Sequence, residues 1–198
     1  MSASLTPSSL TASCLTASSP FTIAPATPDD VPLILSMVRE LAEYERLGHE
    51  VTATDALLRG ALFGPTPIAH AAIAREGAAA VGFALYFFNF STFLAKPGLY
   101  LEDLFVRPAW RRRGLGRLLL VYLAGIAVER GCGRMEWSVL NWNETALRVY
   151  RAIGATALNE WTVQRLTGQA LADLASGAAT VPSTSPATSP PTMHEPST

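Results

Sequence analysis

Alternating strand-like and helix-like segments between residues 21 and 166 predict an α/β fold, a sandwich of helices around a mixed sheet. Three observations carry that prediction. Apolar residues change from helical spacing, as in Val31, Ile34, Leu35, Val38, Leu41 and Ala42, to short continuous runs such as Ile68 to Ala74. One apolar run, Tyr100 to Val106, passes through Pro108 into a basic loop with two glycines that opens a long amphipathic segment. A chain of 198 residues with 49% hydrophobic content is also enough for one well-buried domain.

The elements follow in order. Phe21 to Pro25 reads as a short strand, and Thr27 caps the helix after it, with Pro28 at the first position and Asp29 and Asp30 in the first turn. A second helix begins after Thr52 or Thr54 and ends near Gly64. Ile68 to Ala74 is a strand, Glu76-Gly77 a turn, and Ala79 to Phe90 a long strand. A loop to Gly98 precedes the Tyr100 to Val106 strand. Leu115, Leu118, Leu119, Tyr122, Ile126 and Ala127 then form one helical face that Gly131 terminates. Glu136 to Leu140 is the next strand, Asn143 caps a helix that stops at Gly154, and Glu160 to Leu166 is the last strand.

The ends differ in texture from this middle. Residues 1–20 are rich in Ser, Thr and Ala, and the C-terminal stretch adds repeated Ser-Pro, so both are expected to be disordered tails. Residues 1–20 lack the charged start and apolar core of a signal peptide, and no apolar run approaches the ~20 residues that span a bilayer. Two cysteines, Cys14 and Cys132, imply no disulfide framework. A protein of the cytoplasm with no membrane partner is the expectation. The net charge of −1 gives no general attraction to nucleic acid. His49, His70 and His194 lie far apart without ligand spacing and read as scattered histidines, so no metal is expected.

The basic loop carries the chemistry. Free N–H groups at a helix start and the positive end of its dipole favour a phosphate, and Gly114 and Gly116 let it approach the backbone. Arg111, Arg112, Arg113 and Arg117 add positive charge. A Walker loop fails because Arg117-Leu118 follow Gly116, and a dinucleotide fingerprint fails because position 119 is Leu119. A nucleic-acid patch or nuclear signal is a rival reading of the arginines, but glycines between a strand and a helix fit a small phosphate ligand better. What remains is Arg-x-x-Gly-x-Gly from Arg111 to Gly116.

That arrangement resembles the pyrophosphate-binding motif of the GCN5-related N-acetyltransferase (GNAT) superfamily. The resemblance extends to Tyr100-Leu-Glu-Asp103, to Trp142-Asn143-Glu144, to Tyr150 and to Ile153-Gly154-Ala155. These pieces look like the diamine (spermidine/spermine) and thialysine branch, and the similarity covers roughly residues 21 to 170, including Glu40 to Glu45 and Val81 to Phe88. It implies an N-acetyltransferase domain over residues 21–172, tails at 1–20 and 173–198, and a central sheet that splays to admit acetyl-CoA. It also implies that the backbone of Leu104, Phe105 and Val106 pairs with the pantetheine arm, that residues 111–117, Leu115 included, hold the pyrophosphate, and that Asn143 contacts the arm. Asn143 has a helix-cap role in any case.

Acetyl transfer to an amine needs a route for the proton, because an ammonium of pKa ~10.4 is only about one part in a thousand neutral near pH 7.4. Glu102 is the candidate base, acting through water, since its strand leads into the phosphate loop. Asp103 points to the opposite face of an ideal strand, a rule that a bulge would relax. A Glu-Asp pair bound to the nearby arginines is the alternative reading. By the resemblance Tyr150 is the general acid that protonates the departing thiolate; by spacing alone it is a packed aromatic beside Leu147 and Ile153.

Tyr44 and Glu45, and Glu136, Trp137 and Ser138, match stretches that line the amine site in the family, where acidic and aromatic groups suit an ammonium chain. The loop from Asn89 to Lys96 carries Thr92 and Leu94 where the spermidine/spermine enzymes carry an acidic residue and a tryptophan. That departure leans toward a thialysine-like amino acid or short diamine over a long polyamine. Acetylation of a protein or peptide, and a non-catalytic acetyl-CoA-binding module, are the alternatives. The resemblance also suggests a homodimer.

Overall fold

The computed structural model describes residues 19–178. The described residues fall into two units, 19–154 and 155–178. The first holds a five-stranded sheet in simple sequence order, β1 (Phe21–Pro25), β2 (His70–Glu76), β3 (Ala79–Ser91), β4 (Lys96–Val106) and β5 (Arg134–Trp137). Neighbours among β1 to β4 pair antiparallel, and β5 lies parallel to β4. The mixed sheet is therefore as expected. A parallel fifth strand needs a crossover, and α3 (Leu115–Glu129) supplies it.

Two cores sandwich the sheet. On one face α3 packs Leu115, Leu119 and Leu123 against Val81, Ala84, Leu99 and Leu101. On the other, α1 (Val31–Tyr44) and α2 (Asp55–Phe63) pack Ile34, Met37 and Leu62 against Ile73, Phe83 and Phe105.

Local signals set the helix starts. Asp30 accepts from the Thr27 N–H at 2.8 Å and from its hydroxyl at 3.0 Å, but Pro28–Asp30 is a 3-10 turn and α1 proper starts at Val31. Asp30 is buried, and its ion pair with Arg75 joins this turn to β2. Thr54, rather than Thr52, caps α2 by accepting the Leu57 N–H at 3.3 Å. At the far end of β4, Arg107 donates to both Glu40 oxygens at 3.1 and 2.7 Å and to the Ala80 carbonyl at 2.9 Å. The end of β4 is thereby tied to α1.

Three expectations are corrected. β4 begins at Lys96, because Phe90 and Ser91 already pair with Pro97 and Lys96, so the loop expected to run to Gly98 is a tight hairpin. β5 sits at Arg134–Trp137, earlier than the expected Glu136 to Leu140, since only Gly98 to Leu101 of β4 offer it a ladder. The expected last strand, Glu160 to Leu166, is not one: no ladder partner takes it up, and Trp161 and Val163 stand exposed. Strand propensity measures fit to a pleated surface, and a run without a neighbouring strand has nothing to fit.

In the second unit the described residues form one short helix, α5 (Gly168–Ala175). Of the expected tails, residues 1–18 and 179–198 lie outside the described residues, and Cys14 and His194 with them. No helix among the described residues is long and apolar enough to cross a membrane.

Candidate active site

The site starts from an irregularity in β4. Leu85 pairs with Asp103 and Tyr86 with Leu101, which leaves Glu102 without a partner on β3. This is a β-bulge, and it exchanges the faces of the strand. Before it, Leu99 and Leu101 enter the α3 core; after it, Leu104 and Val106 lie on that side and Phe105 joins the α1–α2 core. Asp103, opposite Leu85, is thus turned toward the α1–α2 layer, while Glu102 is exposed at the bulge.

β4 also leaves β5 here. The parallel ladder ends at Leu101 and Trp137, so the β5-facing edge of residues 102–106 is open. The sheet splays where the resemblance places the pantetheine slot. One acceptor on this strand is already taken: Arg111 Nε donates to the Val106 carbonyl at 2.9 Å.

Beyond the strand, Pro108–Trp110 forms a 3-10 turn and the loop enters α3 through Gly114, whose φ of 81° a side chain would strain. The first bond of α3 runs from the Leu118 N–H to the Gly114 carbonyl at 3.0 Å, so the N–H groups of Leu115, Gly116 and Arg117 precede it with no helical acceptor. A Cβ on Gly116 would meet only Leu104 Cδ2, at 3.9 Å.

The arginines divide. The Arg111 guanidinium lies 4.4 Å from the Tyr44 ring centroid and 5.6 Å from that of Phe105, and Arg113 is paired with Glu76. Among the described residues Arg112 and Arg117 make no hydrogen bond, ion pair or ring contact, so their charges face solvent beside the loop.

Across the splay lies an acidic cluster. Burial, and the negative charges of Glu102 and Glu45, push the Asp103 carboxyl up to about 6. Burial raises Glu45 as well. The Tyr150 phenol is raised by burial and by Glu45, so it holds its proton at neutral pH. Its ring meets that of Trp137 edge-on, with centroids 5.0 Å apart. α4 (Glu144–Ala152) carries Tyr150, and Asn143 starts that helix by accepting the Ala146 N–H at 3.2 Å. The Asn143 amide NH2 has no acceptor among the described residues.

Tyr44, Glu45, Glu102, Trp137 and Tyr150 thus converge, and the structure adds Asp103. Trp142 joins them, its ring centroid 5.7 Å from that of Tyr44. Glu136 and Ser138 are engaged elsewhere. Glu136 accepts from Arg134 Nε at 2.8 Å and faces Asn89 Nδ2 at 3.4 Å, while Ser138 Oγ is 2.8 Å from Tyr100 Oη. The sequence signal for Asp103 was the Glu-Asp pair itself; only the bulge tells which face each carboxylate takes. Among the described residues no group of three or more His, Cys, Asp or Glu side chains could hold a metal ion.

This architecture is shared with known proteins. Residues 34–155 match the acetyltransferase (GNAT) family model. The chain is 37% identical over 153 residues to a thialysine N-epsilon-acetyltransferase of Bos taurus, covering 72% of this chain and 89% of that protein. It is 35% identical to an L-ornithine N5-acetyltransferase of Arabidopsis thaliana, covering 74% of this chain and 84% of that one. Among solved structures, an integron cassette protein from the mobile metagenome of V. cholerae superposes with a TM-score of 0.67 at 28% identity, covering 79% of this chain and 98% of that one. An aminoglycoside acetyltransferase from an uncultured soil sample shares the fold, with a TM-score of 0.64 at 20% identity over 74% of this chain and 95% of that chain. A strand that splays beside a glycine loop, with these matches over most of its length, makes the chain an acetyl-transfer enzyme of the GNAT acetyltransferase family.

Proposed function

We propose that the protein moves an acetyl group from acetyl-CoA to a primary amine of a small molecule, a thialysine- or ornithine-like amino acid or a short diamine. The observation that carries this reading is the meeting, at the opened edge of β4, of an anion loop with three carboxylates and a protonated phenol. Gly114, Leu115, Gly116 and Arg117 would cradle the pyrophosphate, with Arg112 beside them, and the edge of Leu104 to Val106 would take the pantetheine arm. Glu45 and Asp103, whose charges are coupled, together with the rings of Tyr44 and Trp137, suit the ammonium end of the acceptor. The names of the relatives support the substrate class.

In the reaction the amine nitrogen attacks the thioester carbonyl and the C–S bond breaks. One ammonium proton leaves to Glu102 through water before attack; as the C–S bond breaks the Tyr150 hydroxyl gives its proton to the coenzyme A sulfur, and the second nitrogen proton, released as the amide forms, restores the phenol. Asp103 is a second candidate for the base. Its carboxyl, raised to about 6, is better matched to proton transfer near neutrality than an ordinary aspartate. The working unit is a homodimer in this reading, supported by the exposed apolar tip of the β3–β4 hairpin, where Phe90, Phe93 and Leu94 face solvent; sedimentation at equilibrium tests it.

Thiol release from acetyl-CoA against a panel of thialysine, ornithine, lysine, 1,3-diaminopropane, putrescine, spermidine and a lysine peptide tests the reaction. Fast turnover of one small amine is expected. Turnover of the peptide alone would overturn the substrate class.

A further inference from the structure

The loop from Arg111 to Gly116 holds two left-handed residues within three positions, Arg112 at φ 62° and Gly114 at φ 81°. For Arg112 that conformation costs roughly 1–2 kcal/mol, so the surroundings must impose it. On one side Arg111 does so, through the Val106 carbonyl and the Tyr44 ring. On the other side is Glu76, the last residue of β2, which no part of the proposed chemistry uses. Its Oε2 accepts from Trp110 Nε1 at 2.8 Å and from Arg113 Nη1 at 3.1 Å, and its Oε1 accepts from Arg113 Nη2. One carboxylate therefore grips the loop at the residue before Arg111 and at the residue after Arg112.

Its own footing is rigid. Glu76 is the register partner of Phe21 in the β1–β2 ladder, Phe21 is buried, and the Arg113 guanidinium lies 4.8 Å over the Phe21 ring. A forked guanidinium on a carboxylate fixes orientation as well as position. We propose that Glu76 is a positioning residue: through Trp110 and Arg113 it holds the 111–116 loop in the shape that receives the pyrophosphate of acetyl-CoA. Arg113, whose charge resembles a phosphate ligand in the sequence, then acts as the loop's anchor. This rests on the acetyl-CoA reading of the loop.

Calorimetric titration of the full chain with coenzyme A separates the possibilities. Glu76→Ala and Arg113→Ala should each weaken binding about tenfold, the double variant should be no weaker than the weaker single, and Trp110→Phe, which removes one donor, should lose about threefold. In Glu76→Ala the KM for acetyl-CoA should rise by the same factor while kcat at saturation is unchanged. If Arg113→Ala weakens binding while Glu76→Ala and Trp110→Phe bind as well as or better than wild type, Arg113 is a direct phosphate ligand and the proposal is overturned. Wild-type affinity in all three variants overturns it too. Absence of coenzyme A binding by the wild type, or normal binding by Gly114→Val, would defeat the acetyl-CoA reading itself.

Discussion

The two halves of the active site are built on opposite plans. The proposed cofactor half is one continuous stretch, from the open edge of β4 through the 3-10 turn and loop into α3, and it offers backbone groups as donors. The proposed acceptor half is gathered from the end of α1, the bulge in β4, the end of β5 and the last turn of α4, and its groups are side chains in a shared electrostatic field. Backbone donors in a stiff loop are insensitive to neighbouring side chains. Carboxylates placed against one another are not: Glu102 and Glu45 raise the proton affinity of Asp103, and Glu45 that of Tyr150. The cofactor half should therefore fail by losing shape and the acceptor half by changing charge.

The largest effect is expected from Tyr150→Phe, which should lower kcat by roughly 10²–10⁴ while leaving coenzyme A affinity near wild type. Single-turnover kinetics with calorimetry would show it, and an unchanged kcat would remove Tyr150 as the acid. Gly114→Val should do the opposite. A β-branched residue at φ 81° reshapes the loop, so coenzyme A affinity should fall about 100-fold or more, measured by the same titration.

The charge side is sharpened by pH. If Asp103 takes the proton, kcat/KM for the amine should rise through about 6, Asp103→Asn should abolish that limb, and Glu102→Gln should move it lower by deleting a neighbouring negative charge. If Glu102 is the base, Asp103→Asn should retain turnover while Glu102→Gln should lose most of it.

Stability provides an independent reading of the same group. The carboxyl of Asp103 is raised from 3.8 to about 6 in the fold, so its ionisation opposes folding; the associated stability is present below 3.8 and lost as pH rises through about 6. Asp103→Asn should therefore gain on the order of 1–3 kcal/mol at pH 8 and little at pH 4, by thermal melts at the two pH values. The smallest effect is Asn143→Ala, which removes the cap of α4 at a cost of about 1 kcal/mol and lowers Tm by a few degrees.

The local backbone of the proposed cofactor half was legible from residues 100 to 120 alone, because its determinants are local: an apolar run, a proline stop, a glycine at Gly114 where the chain turns left-handed, and a helix start. The same locality made the cap at Asn143 readable and narrowed that of α2 to Thr52 or Thr54, of which the structure uses Thr54. Residue type did not reveal which arginines are committed. Arg111, Arg112, Arg113 and Arg117 are alike in the sequence, yet one stacks on Tyr44, one is forked onto Glu76 and two face solvent. Partners 37 and 67 residues away in sequence decide that, since Glu76 and Tyr44 are close to the loop only in the folded sheet.

By itself the sequence determined the α/β alternation and the strand–glycine loop–helix passage from Tyr100 to Leu120, each a matter of periodicity or backbone stereochemistry within a few residues. Tertiary structure alone decided the bulge at Glu102, the turning of Asp103 toward Glu45, and the refusal of Glu160 to Leu166 to become a strand. Register and ladder pairing belong to two segments at once, and the proton affinity of a carboxyl depends on every charge and dielectric boundary around it.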